Sequence, residues 1–280
     1  MLDLDALQQT IKSFTDRTVA GFKSRIAIVS GSGQGFISQK MKLIQSIPFE
    51  QIPGFIDTGV AGHDGEVQLL ELDGHSVVFF KGRFHWYAGA KATQFHAMIQ
   101  FAMQLGCDHI LLTNAAGSLN PDMLPGELVM VTDHINFQTN PLMDVRFKEH
   151  SMFVDMGQPY SESMCRFMSQ SAKDLHIKLH QGTYMGVHGP NFETRAEVKC
   201  FARLGADVVG MSTLSEVLVS RYYGLQVACI SAVVNLGAGM TSESLSHDLT
   251  LERAQVSANS LEKLILNFIP MYHQAHVHVD

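Results

Sequence analysis

The sequence predicts a single-domain α/β protein in which a mixed, largely buried β-sheet is flanked by helices. β-rich runs and helical patterns alternate over most of the 280 residues, as in proteins built on such sheets. Hydrophobic residues make up 46% of the chain, which is enough for one large core. The sequence has no internal repeat and no linker-like stretch, so we expect one domain over residues 1–280, with a frayed tail at 270–280.

Helices are predicted where apolar residues recur every three or four positions, as Leu4, Leu7 and Ile11 do near the N-terminus. The predicted helices cover residues 4–14, 93–105, 161–180, 194–204, 213–223 and 249–268. Short apolar and β-branched runs predict strands over 25–29, 66–72, 75–81, 108–113, 127–132, 182–187, 207–211 and 226–234. Asp73-Gly74 separates two of these strands and is typical of a tight hairpin turn.

Charge and composition argue against several classes of protein. The net charge is −7 and no Lys/Arg cluster stands out, so no nucleic-acid partner is expected. No uninterrupted apolar run reaches the roughly 18 residues of a membrane-spanning helix, and the N-terminus lacks the pattern of a secretion signal. The scattered cysteines favour free thiols in a reducing cytoplasm. They are Cys107, Cys165, Cys200 and Cys229.

A glycine-rich turn, Gly31-Ser32-Gly33-Gln34-Gly35, follows the first predicted strand. Glycines let the backbone approach an anion closely, and successive N–H groups can bind phosphate oxygens. The spacing is GxGxG rather than GxGxxG, and no lysine follows as in a P-loop. A plain tight turn explains this segment equally well.

Polar side chains also follow the strand predicted over 75–81. At strand spacing Arg83, His85 and Tyr87 point to the same face. The planar fork of an arginine suits two phosphate oxygens, and a histidine adds a neighbouring donor. This arrangement favours a binding site over a solvated strand face.

Three further segments end strands or begin helices. The run 113–118 (TNAAGS) has small residues that leave room for a ligand at a strand end, although a tight strand exit explains them equally well. Ser212 lies at a helix start, where a serine serves equally as a cap or a phosphate ligand. Asn235 ends another strand, and His247 follows a glycine-containing loop.

The run 189–194 (GPNFET) precedes a predicted helix. Phe192 can stack on a planar base, and Glu193 can accept hydrogen bonds from ring N–H groups. Thr194 also has the pattern of an N-cap, with Glu197 as its capping-box partner. Both interpretations can hold together.

Taken in order, these segments resemble the trimeric, low-molecular-mass purine nucleoside phosphorylases, over residues 26–268. The resemblance implies a glycosyltransferase (pentosyltransferase) of purine salvage, a homotrimer, and a site near the subunit boundary. It also implies that inorganic phosphate is a co-substrate and that no cofactor is needed. The shorter stretch between Asn235 and His247 looks like the bacterial branch, while Gln34, Phe36 and His188 depart from the usual pattern.

Site residues follow from the resemblance position by position. It implies phosphate ligands at Ser32, His63, Arg83, His85, Ala115 and Ser212, ribose contacts at Tyr87, Met211 and His247, and purine contacts at Ala116, Gly117, Phe192, Glu193, Val209 and Asn235. Phe153 is similar to the aromatic residue contributed by a neighbouring subunit. Direct roles in catalysis are expected for His85, Glu193, Asn235 and His247.

The expected reaction is phosphorolysis of 6-oxopurine nucleosides, because Glu193 needs a ring N–H that inosine and guanosine have and adenosine lacks. A xanthosine-type phosphorylase stays open, depending on details around Val187 and His188. A methylthioadenosine phosphorylase is disfavoured, because it should prefer an aspartate where Asn235 stands.

Two other classes of function remain. A dinucleotide-dependent oxidoreductase would use the glycine-rich turn, but the glycine spacing is wrong for it. A non-catalytic nucleoside-binding protein would be marked by loss of Arg83 or His85, and both are present. No metal site is expected, since an unstructured end explains His273, His276 and His278 better than a metal does.

Overall fold

The computed structural model describes residues 2–19, 21–59, 64–145, 153–241 and 247–276, leaving aside the side chains of 247–251 and 276. Its helices are α1 (Leu4–Thr18), α2 (Ala92–Gln104), α3 (Glu162–Asp174), α4 (Arg195–Arg203), α5 (Leu214–Tyr222) and α6 (His247–His276). Its strands are β1 (Ile26–Val29), β2 (Lys42–Pro48), β3 (Glu66–Leu72), β4 (His75–Lys81), β5 (His109–Ser118), β6 (Leu128–Asn136), β7 (Leu179–Gly186), β8 (Val208–Gly210) and β9 (Gln226–Leu236).

The strands form one mixed sheet in the order β2-β3-β4-β1-β5-β8-β7-β6-β9. Its centre is parallel, with β4 beside β1, β1 beside β5, and β5 beside β9. Strand β9 pairs with both β6 and β5, so β5, β8, β7, β6 and β9 close into a ring. The predicted architecture, a mixed sheet flanked by helices, is confirmed.

Both faces of the sheet are buried, and β1 shows how. Ala27 and Val29 pack into one apolar cluster, whereas Ile26 and Ile28 pack into another. Alternate residues of a strand point to opposite faces, so an apolar strand without polar interruptions serves both clusters. Helices α1, α2 and α5 cover the first face, and α3 and α6 cover the second.

The hairpin between β3 and β4 turns where the sequence predicts it. Asp73 and Gly74 have φ angles of 49° and 80°. Two successive positive φ angles are what a type I′ turn requires, and its twist matches that of the flanking strands.

Several predicted boundaries are wrong because tertiary contacts override local patterns. The helix predicted over 161–180 ends at Asp174, His176 takes a φ of 56°, and β7 begins at Leu179. Strands β5 and β9 both run further than predicted, to Ser118 and Leu236. They pair with each other along this extra length, which no sequence pattern within either strand reveals.

Strand β2 was not predicted at all. It lies at one edge of the sheet, where β3 is its only partner among the described strands, and most of its residues are exposed. A register shift between Leu43 and Gln45 interrupts the pairing, so no regular alternation of apolar residues marks the strand.

The last helix continues past Pro270 to His276, so the frayed tail predicted from residue 270 is wrong as far as His276. Tyr272 explains the difference, since it is 4% exposed and its ring stacks on Phe268 at 5.2 Å between centroids. Residues 277–280 lie outside the described ranges.

All four cysteines are free thiols, with Cys107 and Cys229 buried, Cys165 partly buried and Cys200 exposed. Within the described ranges, no helix is both long and apolar enough to cross a membrane.

His96 predicts how stability depends on pH. Its side chain is 0% exposed, its Nδ1 lies 3.1 Å from Tyr223 Oη, and burial lowers its pKa to about 4. Between the ordinary pKa of 6.5 and this lowered value, the unfolded chain binds a proton at this position that the folded chain does not. Lowering the pH through this window should therefore decrease the free energy of unfolding, by about 3 kcal/mol in total.

Thermal unfolding between pH 7 and pH 4 can measure this effect against a His96→Gln variant. The glutamine keeps a hydrogen-bonding group beside Tyr223 and does not titrate, so the variant should lose less stability on acidification. Equal losses in the two proteins would contradict the assignment to His96.

Candidate active site

A cavity of about 360 Å³ opens where the parallel strands β4, β1, β5 and β9 end. This is the edge at which α/β sheets usually bind ligands. Most of the site residues expected from the sequence line it. They are Ser32, Arg83, His85, Tyr87, Ala115, Ala116, Gly117, Phe192, Glu193, Val209, Met211, Ser212 and Asn235.

Three expected residues are not among the lining residues. Phe153 lies outside the cavity and is 86% exposed. His63 and the side chain of His247 fall outside the described residues. Their expected roles at phosphate and ribose stay predictions.

Six lining residues were not predicted. They are Gly31, Gly59, Asn114, Pro190, Gly210 and Val234. Most of them belong to the motif runs or adjoin Asn235. The predicted site residues beside them were therefore the only indication in the sequence that they belong to the site. Gly59 has no motif around it, and only the folded chain brings it to the cavity.

Arg83 places a cation at one end of the cavity. It is 1% exposed, and its Nη1 donates to Thr113 O at 2.9 Å and to the hydroxyls of Ser212 and Thr213 at 3.2 Å each. Its Nε lies 3.0 Å from Glu216 Oε1. Its Nη2 donates to none of the described residues. A guanidinium held in this way keeps a donor for an anion such as phosphate.

The backbone around Arg83 is shaped to bring these groups together. Thr213 has a φ of 78°, an uncommon angle for a residue with a side chain. Its hydroxyl also accepts from Asn114 Nδ2 at 3.0 Å, which ties the start of α5 to β5. Backbone angles of this kind often occur at functional sites.

The glycine-rich turn packs directly against β5. A Cβ on Gly31 would lie 2.7 Å from Asn114 Cα, so only glycine fits there. The Gly31 N–H donates to Thr113 Oγ1 at 3.1 Å and contacts Gln34 Oε1 at 3.2 Å, while Gln34 Nε2 donates to Asn114 O at 3.1 Å. The Gly31 N–H is thus used within the protein, and Ser32 is the hydroxyl-bearing residue of this turn that lines the cavity.

His85 and Tyr87 share one side of the cavity, as their spacing predicted, but not on a strand. Strand β4 ends at Lys81, and a 3-10 helix covers Trp86–Ala88. The His85 and Tyr87 rings stack at 4.8 Å between centroids. Trp86 Nε1 donates to Ser215 Oγ at 2.8 Å and fastens this segment to α5.

A β-bulge prepares the other end of the cavity. The register between β5 and β9 shifts at Ala116/Gly117, where β9 contains an extra residue, Val234. Successive residues of a regular strand point to opposite faces, but here both Val234 and Asn235 line the cavity. Asn235 Nδ2 donates to Leu236 O at 3.0 Å, and its second hydrogen is available to a base.

Glu193, Phe192 and Val209 also line the cavity. Burial raises the pKa of the Glu193 carboxyl, its own backbone N–H lowers it, and the charge of Glu197 raises it further. A partly desolvated carboxylate gains most from a donor that the ligand brings, such as a ring N–H.

Thr194 is the N-cap of α4, as predicted, with Glu197 completing a capping box. Thr194 Oγ1 accepts from Glu197 N at 3.2 Å, and Thr194 N donates to Glu197 Oε2 at 2.7 Å. We expect Thr194→Ala to lower the free energy of unfolding by about 1 kcal/mol, because one N–H at the helix start loses its acceptor.

The cap can be tested by thermal unfolding, with Thr194→Ser as the matched control. Serine keeps the hydroxyl, so its melting temperature should lie closer to that of the wild type. A serine variant as unstable as the alanine variant would show that the hydroxyl contributes nothing.

Among the described residues, no group of three His, Cys, Asp or Glu side chains is placed to bind a metal ion. His273 packs against His75, with ring centroids 4.6 Å apart. His278 and the side chain of His276 lie outside the described part of the chain.

Comparison with known proteins agrees with the geometry. Residues 25–270 match the family model of the phosphorylase superfamily. Purine nucleoside phosphorylase 1 of Bacillus subtilis (strain 168) is 35% identical over 250 residues, which cover 89% of this chain and 92% of the relative. Purine nucleoside phosphorylase of Mycobacterium leprae (strain TN) is 33% identical over 274 residues, 97% of this chain and 98% of the relative.

A solved structure shows the same fold. Schistosoma mansoni purine nucleoside phosphorylase, crystallised in complex with adenosine, superposes with a TM-score of 0.86 at 28% identity. The match covers 95% of this chain and 97% of that structure. The cavity, the family model and these relatives agree, and the chain belongs to the phosphorylase superfamily, within its purine nucleoside phosphorylase family.

Proposed function

We propose that this protein cleaves 6-oxopurine nucleosides with inorganic phosphate. Inosine, guanosine and their deoxy forms would give the free base and (deoxy)ribose 1-phosphate. The observation that carries the proposal is one cavity lined by a buried arginine, a partly buried glutamate and an asparagine. The arginine suits phosphate, and the glutamate and asparagine suit a purine with a ring N–H.

Phosphate would bind at Arg83, with His85, Ser32 and Ser212 around it. Neither Nε nor Nη2 of Arg83 donates a hydrogen bond to a described residue, and the Ser212 hydroxyl already lies 3.2 Å from Nη1. Donors held in place before the ligand arrives need little reorganisation, which favours the transition state. Tyr87 and Met211 also line the cavity and would contact ribose.

In the reaction a phosphate oxygen bonds to C1′ while the bond from C1′ to purine N9 breaks. The electron pair of that bond moves to the purine, and the proton of hydrogenphosphate reaches the base through solvent. The ribose gains positive charge on the way, which the phosphate dianion stabilises. Asn235 would donate to the purine as its negative charge grows, and Glu193 would hold the N1–H.

Base selection would rest on Glu193 and Asn235, with Phe192 packing on the ring. Neither Val187 nor His188 lines the cavity, and His188 Nε2 lies 3.4 Å from Thr139 Oγ1 instead. No observation at these two positions therefore favours xanthosine over inosine.

The assembly we propose is a homotrimer, with Phe153 of each subunit reaching the site of its neighbour. The exposure of Phe153 is 86%, so its ring is accessible for such a contact. We also propose that phosphate is the only additional small molecule the reaction needs, and that the enzyme works in the cytoplasm, in keeping with its four free thiols.

The test is to incubate the protein with inosine, with and without phosphate, and to separate the products. Hypoxanthine and ribose 1-phosphate should form only when phosphate is present. Free ribose, or hypoxanthine formed equally without phosphate, would show hydrolysis and reject the proposal. Xanthosine in a parallel reaction measures the remaining alternative directly.

A further inference from the structure

A buried carboxylate behind the phosphate end of the cavity has no role in the function proposed above. Glu216 lies in the first turn of α5, is 1% exposed, and does not line the cavity. Its Oε1 lies 3.0 Å from Arg83 Nε. The N–H of Nε is not aligned with this oxygen, so Glu216 holds Nε by close contact and by charge rather than by a regular hydrogen bond.

Ordinary structural roles do not account for Glu216. Neither carboxylate oxygen accepts a hydrogen bond from any described residue, so it does not cap α5. A charged group is almost never fully buried unless it is paired. Its one close charged partner in the described chain is Arg83, which is equally buried.

The contacts of Arg83 show what the pairing does. Nη1 is occupied by Thr113 O, Ser212 Oγ and Thr213 Oγ1, and Nε lies 3.0 Å from Glu216 Oε1. A guanidinium is planar, so fixing Nε on one side and Nη1 on another sets the direction of Nη2. With Nε unpaired, the plane could turn about the contacts of Nη1 alone.

We propose that Glu216 is a positioning residue, which fixes the plane of the Arg83 guanidinium so that Nη2 is directed at the bound phosphate. The inference rests on the proposed function for the identity of the anion. Its effect on anion binding can be measured without any nucleoside.

Two substitutions separate contact from charge. Glu216→Gln keeps the length and an acceptor oxygen but removes the charge. Glu216→Asp keeps the charge but withdraws the carboxylate by about 1.5 Å, one carbon–carbon bond. A positioning role predicts that the KM for phosphate rises about threefold in the glutamine variant and about 30-fold or more in the aspartate variant, because small misplacements of a binding group have large effects.

The KM for inosine at saturating phosphate should change much less in both variants. A second measurement is the rise in melting temperature that inorganic phosphate produces in each protein. We expect this rise in the wild type, most of it in the glutamine variant, and little in the aspartate variant.

Several results would overturn the proposal. One is an aspartate variant that binds phosphate better than the glutamine variant does, which would assign Glu216 an effect through charge alone. Another is a lower melting temperature in both variants with unchanged phosphate affinity, which would mean a purely structural role. A wild type that phosphate does not stabilise would also reject it.

If Glu216→Asp does not fold, Glu216→Met takes its place, because methionine has the length of glutamate and no oxygen. Weaker phosphate binding in the methionine variant than in the glutamine variant supports positioning, and equal binding rejects it. If phosphate stabilises the wild type but inosine is not cleaved, the proposed function fails. The melting temperatures of the variants with phosphate then still decide whether Glu216 positions Arg83.

Discussion

Inosine is expected to react with a kcat/KM about 10⁴-fold above that of adenosine, at saturating phosphate. The carboxylate of Glu193 can accept a hydrogen bond from the N1–H of a 6-oxopurine. In adenosine the same position is an unprotonated nitrogen, whose lone pair would face the carboxylate. Burial has already raised the pKa of Glu193, so this group would stay desolvated without a donor.

Turnover and binding must be measured separately in this test. The Schistosoma mansoni protein was crystallised in complex with adenosine, and binding of adenosine does not by itself show turnover. Purine riboside is a useful third substrate, because it lacks the N1–H without carrying the 6-amino group. If Glu193 decides the selection, purine riboside should react as slowly as adenosine. Comparable turnover of adenosine and inosine would refute the predicted preference.

Glu193→Ala is expected to lower kcat/KM for inosine roughly 30- to 900-fold. This corresponds to a loss of about 2–4 kcal/mol of transition-state stabilisation. The substitution removes a charged acceptor from a partly buried position that lines the cavity. Adenosine has no N1–H to lose, so its kcat/KM should change far less. The preference for inosine should therefore shrink by nearly the same factor as the activity itself.

Glu197→Ala is the matched control for this measurement. Glu197 is also a glutamate at the start of α4, but it does not line the cavity, and its hydrogen bonds go to Thr194. Its variant should keep kcat/KM for inosine within about threefold at temperatures where it is folded. An unchanged kcat/KM in Glu193→Ala would remove Glu193 from the site.

Much of the fold could be predicted because its signals are local. The apolar runs of β1, β3 and β4, the Asp73-Gly74 turn and the Thr194–Glu197 capping box depend on residues that are close in sequence. Where packing against distant residues decides an element, prediction failed. Strand β2, the end of α3 and the extension of α6 are examples.

The site divides in the same way. The sequence by itself determined the residue types and their order, and these were enough to indicate a phosphate-binding end and a purine-binding end. Only the tertiary structure shows that Arg83 pairs with Glu216, that β9 pairs with β5, and that the bulge lies at Val234. These contacts join residues far apart in the chain, and their energies depend on burial and register. No local pattern of residues records either quantity.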